Sequence, residues 1–209
     1  MQTLTAFFHE FLHKTLKNRF ILFSLIKRDF KGRYAGSTLG IIWAFLQPLA
    51  MMCILWCVFE FGLKAQAANP SIPFAAWFFS GIIAWNFFAD VMNASCNVLN
   101  EYSFMLKKVE FDVSALPLVK LFSGLLIHLI FLSIVLIVLF FSGIKPSWHW
   151  LTGLYYLGAL LYLQLGLSWL LSALNVFLRD TSQLISIILQ LGFWVTPVIW
   201  DVGRIAPRY

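Results

Sequence analysis

Five long stretches without a charged side chain constrain this chain more than any other feature. They contain no Asp, Glu, Lys or Arg, and they run from 20 to 33 residues. The stretches are 34–59, 65–89, 121–144, 146–178 and 181–200. A helix needs about 20 mainly apolar residues to cross the hydrocarbon core of a bilayer, so each stretch is long enough to span a membrane. The chain is therefore predicted to be a polytopic membrane protein.

The composition supports this class and excludes others. Of the 209 residues, 61% are hydrophobic and 11% are charged, whereas soluble domains carry about 25% charged residues. These values exclude a disordered chain and an ordinary soluble enzyme. Backbone polar groups in lipid must be satisfied within the segment, and these runs lack the alternation of barrel strands, so we predict an all-α fold. Within a transmembrane domain at 38–200, five transmembrane helices are predicted at 39–62, 74–98, 117–141, 151–176 and 182–200.

The positions of the 15 Lys and Arg residues predict the orientation of the chain. With a cytoplasmic N-terminus, 11 of them lie in inner segments and 4 in outer segments, which satisfies the positive-inside rule. Residues 1–37 and the loop 100–114 are then cytoplasmic, and residues 201–209 are outside. Topology accounts for the net charge of +6, so we predict no nucleic-acid partner.

Two cytoplasmic segments carry an apolar pattern of their own. Residues 4–26 space Leu4, Phe8 and Phe11 as one face of a helix, which predicts an amphipathic helix on the membrane surface. A plain soluble arm is the alternative. The loop 100–114 mixes charged and aromatic side chains, and it either presents a short helix to a soluble partner or is simply solvated.

Polar side chains inside apolar spans are costly, so each is a candidate for function. Asn86, Asp90, Asn93 and Asn97 fall on one helical face, which favours a bundle interior, a partner helix or a wet pathway. His128 lies alone in the third predicted span and is interpreted as a packing residue.

Other features of the spans allow more than one interpretation. Lys120 and Glu60 lie near span ends and are interpreted as side chains that snorkel to the interface. Gly32, Gly36 and Gly40 recur every fourth residue, which indicates either close helix approach or a flexible turn. Aromatic side chains within the spans either pack against other helices or line a channel for sugar rings.

The sequence contains no motif for chemistry of its own. It has no phosphate-binding G-x-x-x-x-G-K-[ST] loop, no H-E-x-x-H and no G-x-S-x-G. Two of the three cysteines, Cys53 and Cys57, sit four residues apart without a neighbouring His or carboxylate, which is a poor metal site. We therefore predict no catalytic residue, no metal and no cofactor in this chain.

Four blocks of sequence, in order along the chain, match a known pattern. The four blocks lie within residues 27–49, 107–118, 175–180 and 196–199. The matching residues are Asp29, Arg33, Tyr34, Ser37, Leu39, Gly40, Trp43 and Pro48, then Lys107, Lys108, Val109, Phe111 and 116–118, then 175–180, which end in Arg179 and Asp180, then 196–199, which begin with Thr196 and Pro197. Arg28 lies within the first block. Together they resemble the permease subunits of ABC-type polysaccharide and polyol-phosphate exporters, which serve O-antigen, teichoic acid and capsule.

The resemblance implies a division of labour between subunits. A separate ABC ATPase subunit would bind ATP and Mg²⁺, and two permease chains would form a channel for a lipid-linked glycan in the bacterial inner membrane. The first block would lie at the cytoplasmic boundary, with Arg/Asp pairs or lipid phosphates as partners. The expected ATPase-coupling residues are Lys107, Lys108, Phe111, Arg179 and Asp180. The translocation-path candidates are Trp85, Asn86, Phe88, Asp90, Tyr155, Tyr162, Thr196 and Pro197.

Two departures from the family pattern affect these expectations. Asp112 and Val113 stand where the family usually has Pro and Arg. The family also has six spans and a cytoplasmic C-terminus, so the chain is expected to be truncated after the fifth span. Two alternative functions stay open, namely an ABC exporter subunit for lipid or drug, and a membrane-embedded enzyme acting on lipid-linked sugars.

Overall fold

Helices account for all regular structure in the residues that the computed structural model describes, which are 11, 13–15, 17–33, 36–65, 72–106, 112–141, 143, 148, 150–198 and 200. The first helices are α1 (Arg19–Gly32), α2 (Trp43–Cys57), α3 (Phe74–Cys96), α4 (Val98–Glu101) and α5 (Ser103–Leu106). The remaining helices are α6 (Leu116–Phe141), α7 (Trp150–Phe177) and α8 (Thr181–Val195). A 3₁₀ turn, Gly40–Ile42, leads into α2, which continues as a π-helical turn, Val58–Gly62. Another 3₁₀ turn, Val113–Ala115, leads into α6.

Four of the predicted spans are helices long and apolar enough to cross a membrane. They cover Gly40–Gly62, Phe74–Cys96, Val113–Phe141 and Trp150–Phe177, with 23, 23, 29 and 28 residues. At about 1.5 Å per residue, the shortest of them is roughly 34 Å long, which exceeds the hydrocarbon core of about 30 Å. The prediction of an all-α, polytopic membrane fold is confirmed.

The fifth predicted span, 182–200, is a shorter apolar helix. Helix α8 has 15 residues, so it is only about 22 Å long. It ends at Val195 because Thr196 adopts an extended backbone, with φ −76° and ψ 144°. The following Pro197 disfavours a helical conformation for the residue before it.

Helix α3 lies at the centre of the bundle and packs against α2, α6, α7 and α8. One apolar cluster joins Met52 of α2 to Phe78 of α3 and Phe131 of α6. A second cluster joins Val91 of α3 to Leu171 of α7, together with residues of α6 and α8. On the polar face of α3, Asn86 and Asn97 are half-buried between these neighbours, whereas Asp90 and Asn93 are exposed.

Helix α1 corresponds to the end of the predicted amphipathic segment 4–26 and extends beyond it to Gly32. Leu25 and Asp29 are buried, and Leu25 packs in a cluster with Val98 of α4 and Val119 of α6. On the opposite side, Phe20 and Phe23 are 74% and 69% exposed. Both sides of α1 therefore carry apolar side chains, so the amphipathic surface helix stays a prediction, and residues 4–10 of that segment lie outside the described residues.

The glycines before α2 form a turn rather than a helix-packing face. Gly36 and Gly40 have φ angles of +87° and +53°, which L-residues with side chains rarely adopt. No atom lies within 4 Å of where a Cβ would stand at either residue. Of the two interpretations of the Gly32–Gly36–Gly40 spacing, the structure supports the turn.

Candidate functional site: a chain of ion pairs beside a mainly apolar cavity

Asp29 carries a carboxylate from α1 into the bundle. The residue is only 7% exposed. The Lys120 ammonium donates to Oδ1 at 2.5 Å, and the Ser123 hydroxyl donates to Oδ2 at 2.5 Å. Lys120 and Ser123 are three residues apart on α6 and therefore lie on one face of that helix. The Tyr102 hydroxyl lies 3.5 Å from Oδ1, so the carboxylate is bonded from several sides.

Lys120 joins Asp29 to a second carboxylate. It is 4% exposed, and its Nζ also donates to Oε2 of Glu101, at the end of α4, at 2.5 Å. A lone charge in this position would be strongly destabilising, but two carboxylates compensate the ammonium. The interpretation of Lys120 as a snorkelling side chain is therefore wrong, because the ammonium ends inside the bundle.

Arg33 extends the network from α1 to the central helix. Its Nε donates to Oδ2 of Asp29 at 3.3 Å, and its Nη1 donates to Oδ2 of Asp90, on α3, at 2.6 Å. Its Nη2 donates to the Ser123 hydroxyl oxygen at 3.2 Å. Four ion pairs thus run in the order Glu101, Lys120, Asp29, Arg33, Asp90, and we call this arrangement the ion-pair chain.

The ion-pair chain is buried in the middle and open at both ends. The side chains of Asp29 and Lys120 are each 5% exposed, and that of Arg33 is 17% exposed. The terminal carboxylates of Asp90 and Glu101 are 46% and 49% exposed. The outer pairs are therefore partly solvated at their carboxylates and can exchange, whereas the Asp29–Lys120 pair is desolvated.

Two groups outside the membrane-spanning helices have shifted pKa values. Burial acts to raise the pKa of Asp29, but hydrogen bonds from Lys120 and Ser123, with the charges of Lys120 and Arg33, outweigh it and hold the pKa below its usual value. Burial, followed by the charge of Asp29, raises the pKa of the Tyr102 hydroxyl. Tyr102 is thus a neutral hydrogen-bond donor at physiological pH.

The lowered pKa of Asp29 makes its stabilising contribution sensitive to acid. A carboxylate with a depressed folded pKa stabilises the fold above its unfolded pKa, about 4, and loses that effect as the pH falls through the folded value. We expect the difference in thermal midpoint between wild type and Asp29→Asn to be constant from pH 8 to about pH 5 and to shrink below about pH 4. A difference that instead shrinks between pH 8 and pH 6 would contradict an ionised, well-paired Asp29.

A cavity of about 110 Å³ lies beside the Asp90 end of the ion-pair chain, between α2, α3 and α6. Its polar lining consists of Asn86, Asp90 and His128. The apolar lining consists of Ala44, Pro48, Met52, Ile83, Phe87, Gly124, Ile127 and Phe131. The volume far exceeds the roughly 15 Å³ that one water needs, so the cavity can hold water next to a carboxylate.

His128 packs against this cavity as an aromatic ring. It is 7% exposed, and its ring stacks on Phe87 with centroids 4.6 Å apart and planes 20° apart. The structure thereby brings His128 together with two predicted path residues, Asn86 and Asp90, and with Pro48 of the first block. Asn86 and Asp90 share a helical face by their spacing, but only tertiary packing brings Pro48 and His128 to the same space.

The other asparagines on the polar face of α3 contact neighbouring helices. Asn93 accepts a hydrogen bond from Ser186 of α8 at 2.9 Å. Asn97 accepts one from the Asn175 amide at 3.1 Å, and Asn175 accepts one from the backbone N–H of Ser182 at 3.2 Å. Asn93 and Asn97 therefore contact neighbouring helices, whereas Asn86 and Asp90, nearer the start of α3, line the cavity.

The remaining path candidates do not meet at this cavity. Trp85 packs between Phe88 and Phe193, with ring centroids 5.9 and 6.2 Å away. Tyr155 and Tyr162 are 74% and 76% exposed on α7. The Thr196 hydroxyl donates to the Gly192 carbonyl at 2.6 Å, and Pro197, next to it, is exposed. Their role in a pathway stays a prediction.

The predicted coupling residues are only partly described. Arg179 and Asp180 are exposed in the turn between α7 and α8. Tyr34, Lys107, Lys108 and Phe111 lie outside the described residues. Of the first block, Arg28 holds its guanidinium 5.2 Å from the centre of the Tyr102 ring, next to the ion-pair chain. Ser37 and Trp43 are exposed, at and just after the glycine turn.

Four residues of the site were missed or misread from the sequence, namely Glu101, Tyr102, Lys120 and Ser123. A charged residue in an apolar span needs a partner, and this requirement could have identified Lys120 as a buried group. Its partners could not have been identified in the same way, because they come from α1 and α4, far apart in sequence. Asp29 and Arg33, in contrast, are four residues apart on one helix, so their pairing is readable locally.

Comparison with known proteins gives one consistent result. The family model described as ABC-2 type transporter matches residues 21–209. The O-antigen export system permease protein RfbA of Myxococcus xanthus is 29% identical over 187 residues, covering 90% of this chain and 70% of the relative. Two proteins of that name from Klebsiella pneumoniae are 27% and 26% identical over 191 residues, covering 90% of this chain and 72% of each relative. With four helices long enough to cross a bilayer, the chain is a multi-pass membrane protein, and it belongs to the ABC-2 type transporter family.

Proposed function

We propose that this chain is the membrane permease subunit of an ATP-driven exporter that moves a lipid-linked polysaccharide of the O-antigen type across the bacterial inner membrane. The observation that carries the proposal is the similarity to O-antigen export permeases over 90% of the chain. Capsule polysaccharides and the polyol-phosphate chains of teichoic acids are likewise long hydrophilic polymers. They are the neighbouring possibilities within this proposal.

The energy for transport comes from a partner in this proposal. The chain has no phosphate-binding loop in its sequence, so ATP and Mg²⁺ belong to a separate ABC ATPase subunit. That subunit docks at the cytoplasmic segment 100–114 and at the α7–α8 turn, with the N-terminus of the chain on the same side. A second copy of the permease chain completes the conduit.

The site supports this proposal through its position in an otherwise apolar bundle. The cavity places Asn86 and the carboxylate of Asp90 next to aromatic faces, and such a mixture suits hydroxylated rings with apolar sides. Charged residues within spans are costly and are kept where they face a polar pathway or pair with each other. The charged residues of the ion-pair chain pair with each other, and Asp90, at one end of it, also lines the cavity.

Gene deletion with complementation tests the proposed function. We expect deletion to remove the polysaccharide from the cell surface and to leave its lipid-linked precursor on the cytoplasmic side. A tagged copy of the chain should restore export and should co-purify with an ABC ATPase subunit. Unchanged surface polysaccharide, together with altered lipid or drug efflux, would instead support an ABC exporter of lipid or drug.

The alternative of a membrane-embedded enzyme has one specific observation in its favour. Asn86, Asp90 and His128, which could act on a lipid-linked sugar, line one cavity. An enzyme would lose turnover with both Asp90→Ala and His128→Ala. In the proposed permease, His128 packs on Phe87, so His128→Phe should preserve export because a ring remains in the stack. Loss of export with His128→Phe at normal protein levels would favour the enzyme.

A further inference from the structure

We propose that Lys120 is a positioning residue that transmits movement of the segment after α4 to helix α1 and onward to the cavity. This inference rests on the proposed function, because it assigns a transmission route to the coupling between ATPase and permease. The juxtaposition that carries it is the ion-pair chain, in which one buried ammonium bonds carboxylates from two different elements.

The route begins at the cytoplasmic segment. Glu101 is the last residue of α4, at the start of the loop 100–114 that is proposed to contact the ATPase. Its carboxylate is 49% exposed, and it accepts a hydrogen bond from Lys120 at 2.5 Å. A displacement of α4 therefore acts directly on the Lys120 ammonium.

The buried middle of the route resists separation. Lys120 and Asp29 are each 5% exposed at the side chain, so pulling them apart would leave two charges in a region of low dielectric. The cheaper response is for α1 and α6 to keep their contact and to shift together. Asp29 thus passes a displacement of Lys120 to α1 rather than absorbing it.

The route ends at the cavity. Arg33 lies one helical turn after Asp29 and bonds both Asp29 and Asp90. Asp90 lines the cavity and is 46% exposed. If Arg33 moves away from Asp90, it keeps Asp29 and Ser123 as partners, so this outer pair can open at low cost. A shift of α1 therefore breaks or restores the Arg33–Asp90 ion pair at the edge of the cavity.

The Glu101 end provides the cleanest test, because the Glu101 carboxylate is half exposed and Lys120 keeps Asp29 as its partner when Glu101 is neutralised. The protein used is the complete exporter with its ATPase in lipid nanodiscs or proteoliposomes. We expect Glu101→Gln to keep ATP hydrolysis and the thermal midpoint near wild type while export per ATP falls about fivefold or more, within the usual range of coupling between sites. Glu101→Asp retains the charge and should restore most of the export.

Glu60→Gln is the matched control, since it makes the same substitution at a carboxylate outside the ion-pair chain, at the far end of the first span. We expect its export per ATP to match wild type. If Glu101→Gln matches both wild type and Glu60→Gln, or if it lowers hydrolysis and export in the same proportion, the proposed role of Lys120 is overturned. Failure of any ATPase to assemble with the chain would instead overturn the proposed function.

A distance measurement tests the same inference without activity. Spin labels at Lys27 of α1 and Ser103 of α5, both exposed, are placed in a background with the three cysteines replaced by serine. We expect their separation to stay constant on ATP binding in the wild-type background, because the ion-pair chain moves both elements together. With Glu101→Gln, the distance distribution should broaden or shift on ATP binding. Identical behaviour in both backgrounds would contradict the route.

Discussion

Replacing Lys120 with methionine should lower the free energy of unfolding by about 3 kcal/mol, at the low end of the cost of breaking a buried ion pair. The variant removes the ammonium that compensates Asp29 and Glu101. Within the ion-pair chain, Arg33 then remains as the cation that pairs with Asp29 and Asp90, while Glu101 loses its Lys120 partner. Glu101 can turn toward solvent, but Asp29 is 5% exposed and cannot. At about 2–4 °C per kcal/mol for a chain of this size, the thermal midpoint in detergent should fall by roughly 6–12 °C.

A double-mutant cycle separates the ion pair from a simple loss of packing. We expect Lys120→Met with Asp29→Asn to be less destabilised than the sum of the single variants, because the second substitution removes the charge that the first one leaves unpaired. Lys27→Met is the control, since Lys27 lies exposed on α1 and should change the midpoint little. Strictly additive effects at Lys120 and Asp29 would show that the two charges do not stabilise each other.

The span positions could be predicted closely because lipid leaves the backbone few options. The predicted ranges 74–98 and 151–176 correspond to helices Phe74–Cys96 and Trp150–Phe177. Charged residues mark where apolar stretches stop, and helices are the only way to satisfy the backbone between these marks. The early end of α8 could also have been predicted, since Pro197 restricts the backbone of Thr196. The predicted span ran to residue 200 because it followed the uncharged stretch 181–200.

Only some residues of the site could be predicted from the sequence, because the others are defined by tertiary contacts. Asp29 and Arg33 were singled out by their resemblance to a family motif, and Asp90 by its depth in a span. Whether a charge in a span snorkels or is buried depends on the neighbours that pack over it, and Lys120 was misread on this point. Its neighbours, Asp29 and Glu101, lie 91 and 19 residues away in sequence, so only tertiary packing brings them together.

Replacing Gly124 with alanine should destabilise the chain by about 1–3 kcal/mol, the usual cost of overpacking a core. Gly124 is on α6, where that helix faces α3. A Cβ at this position would stand 2.7 Å from Cγ2 of Val91, which is fully buried, and 3.5 Å from both Phe87 and Asp90. A β-branched side chain in a helix has one strongly preferred rotamer, so Val91 cannot turn away. The helices must separate at the point where the cavity and the ion-pair chain meet.

Whether a glycine-to-alanine substitution lowers or raises stability distinguishes this close contact from the general stabilisation expected when a helical glycine is replaced by alanine. Gly166 on α7 has no atom within 4 Å of its would-be Cβ, so Gly166→Ala should raise stability by about 0.4–1 kcal/mol through the unfolded state. Gly124→Ala should lower it, and adding Val91→Ala to Gly124→Ala should recover part of the loss because the clashing methyl groups are removed. Thermal midpoints of the four proteins in the same detergent measure all three expectations. If Gly124→Ala proves as stable as Gly166→Ala, α3 and α6 are not held together as closely as the structure shows, and Asp90, which pairs with Arg33 beside this contact, would lose its rigid support.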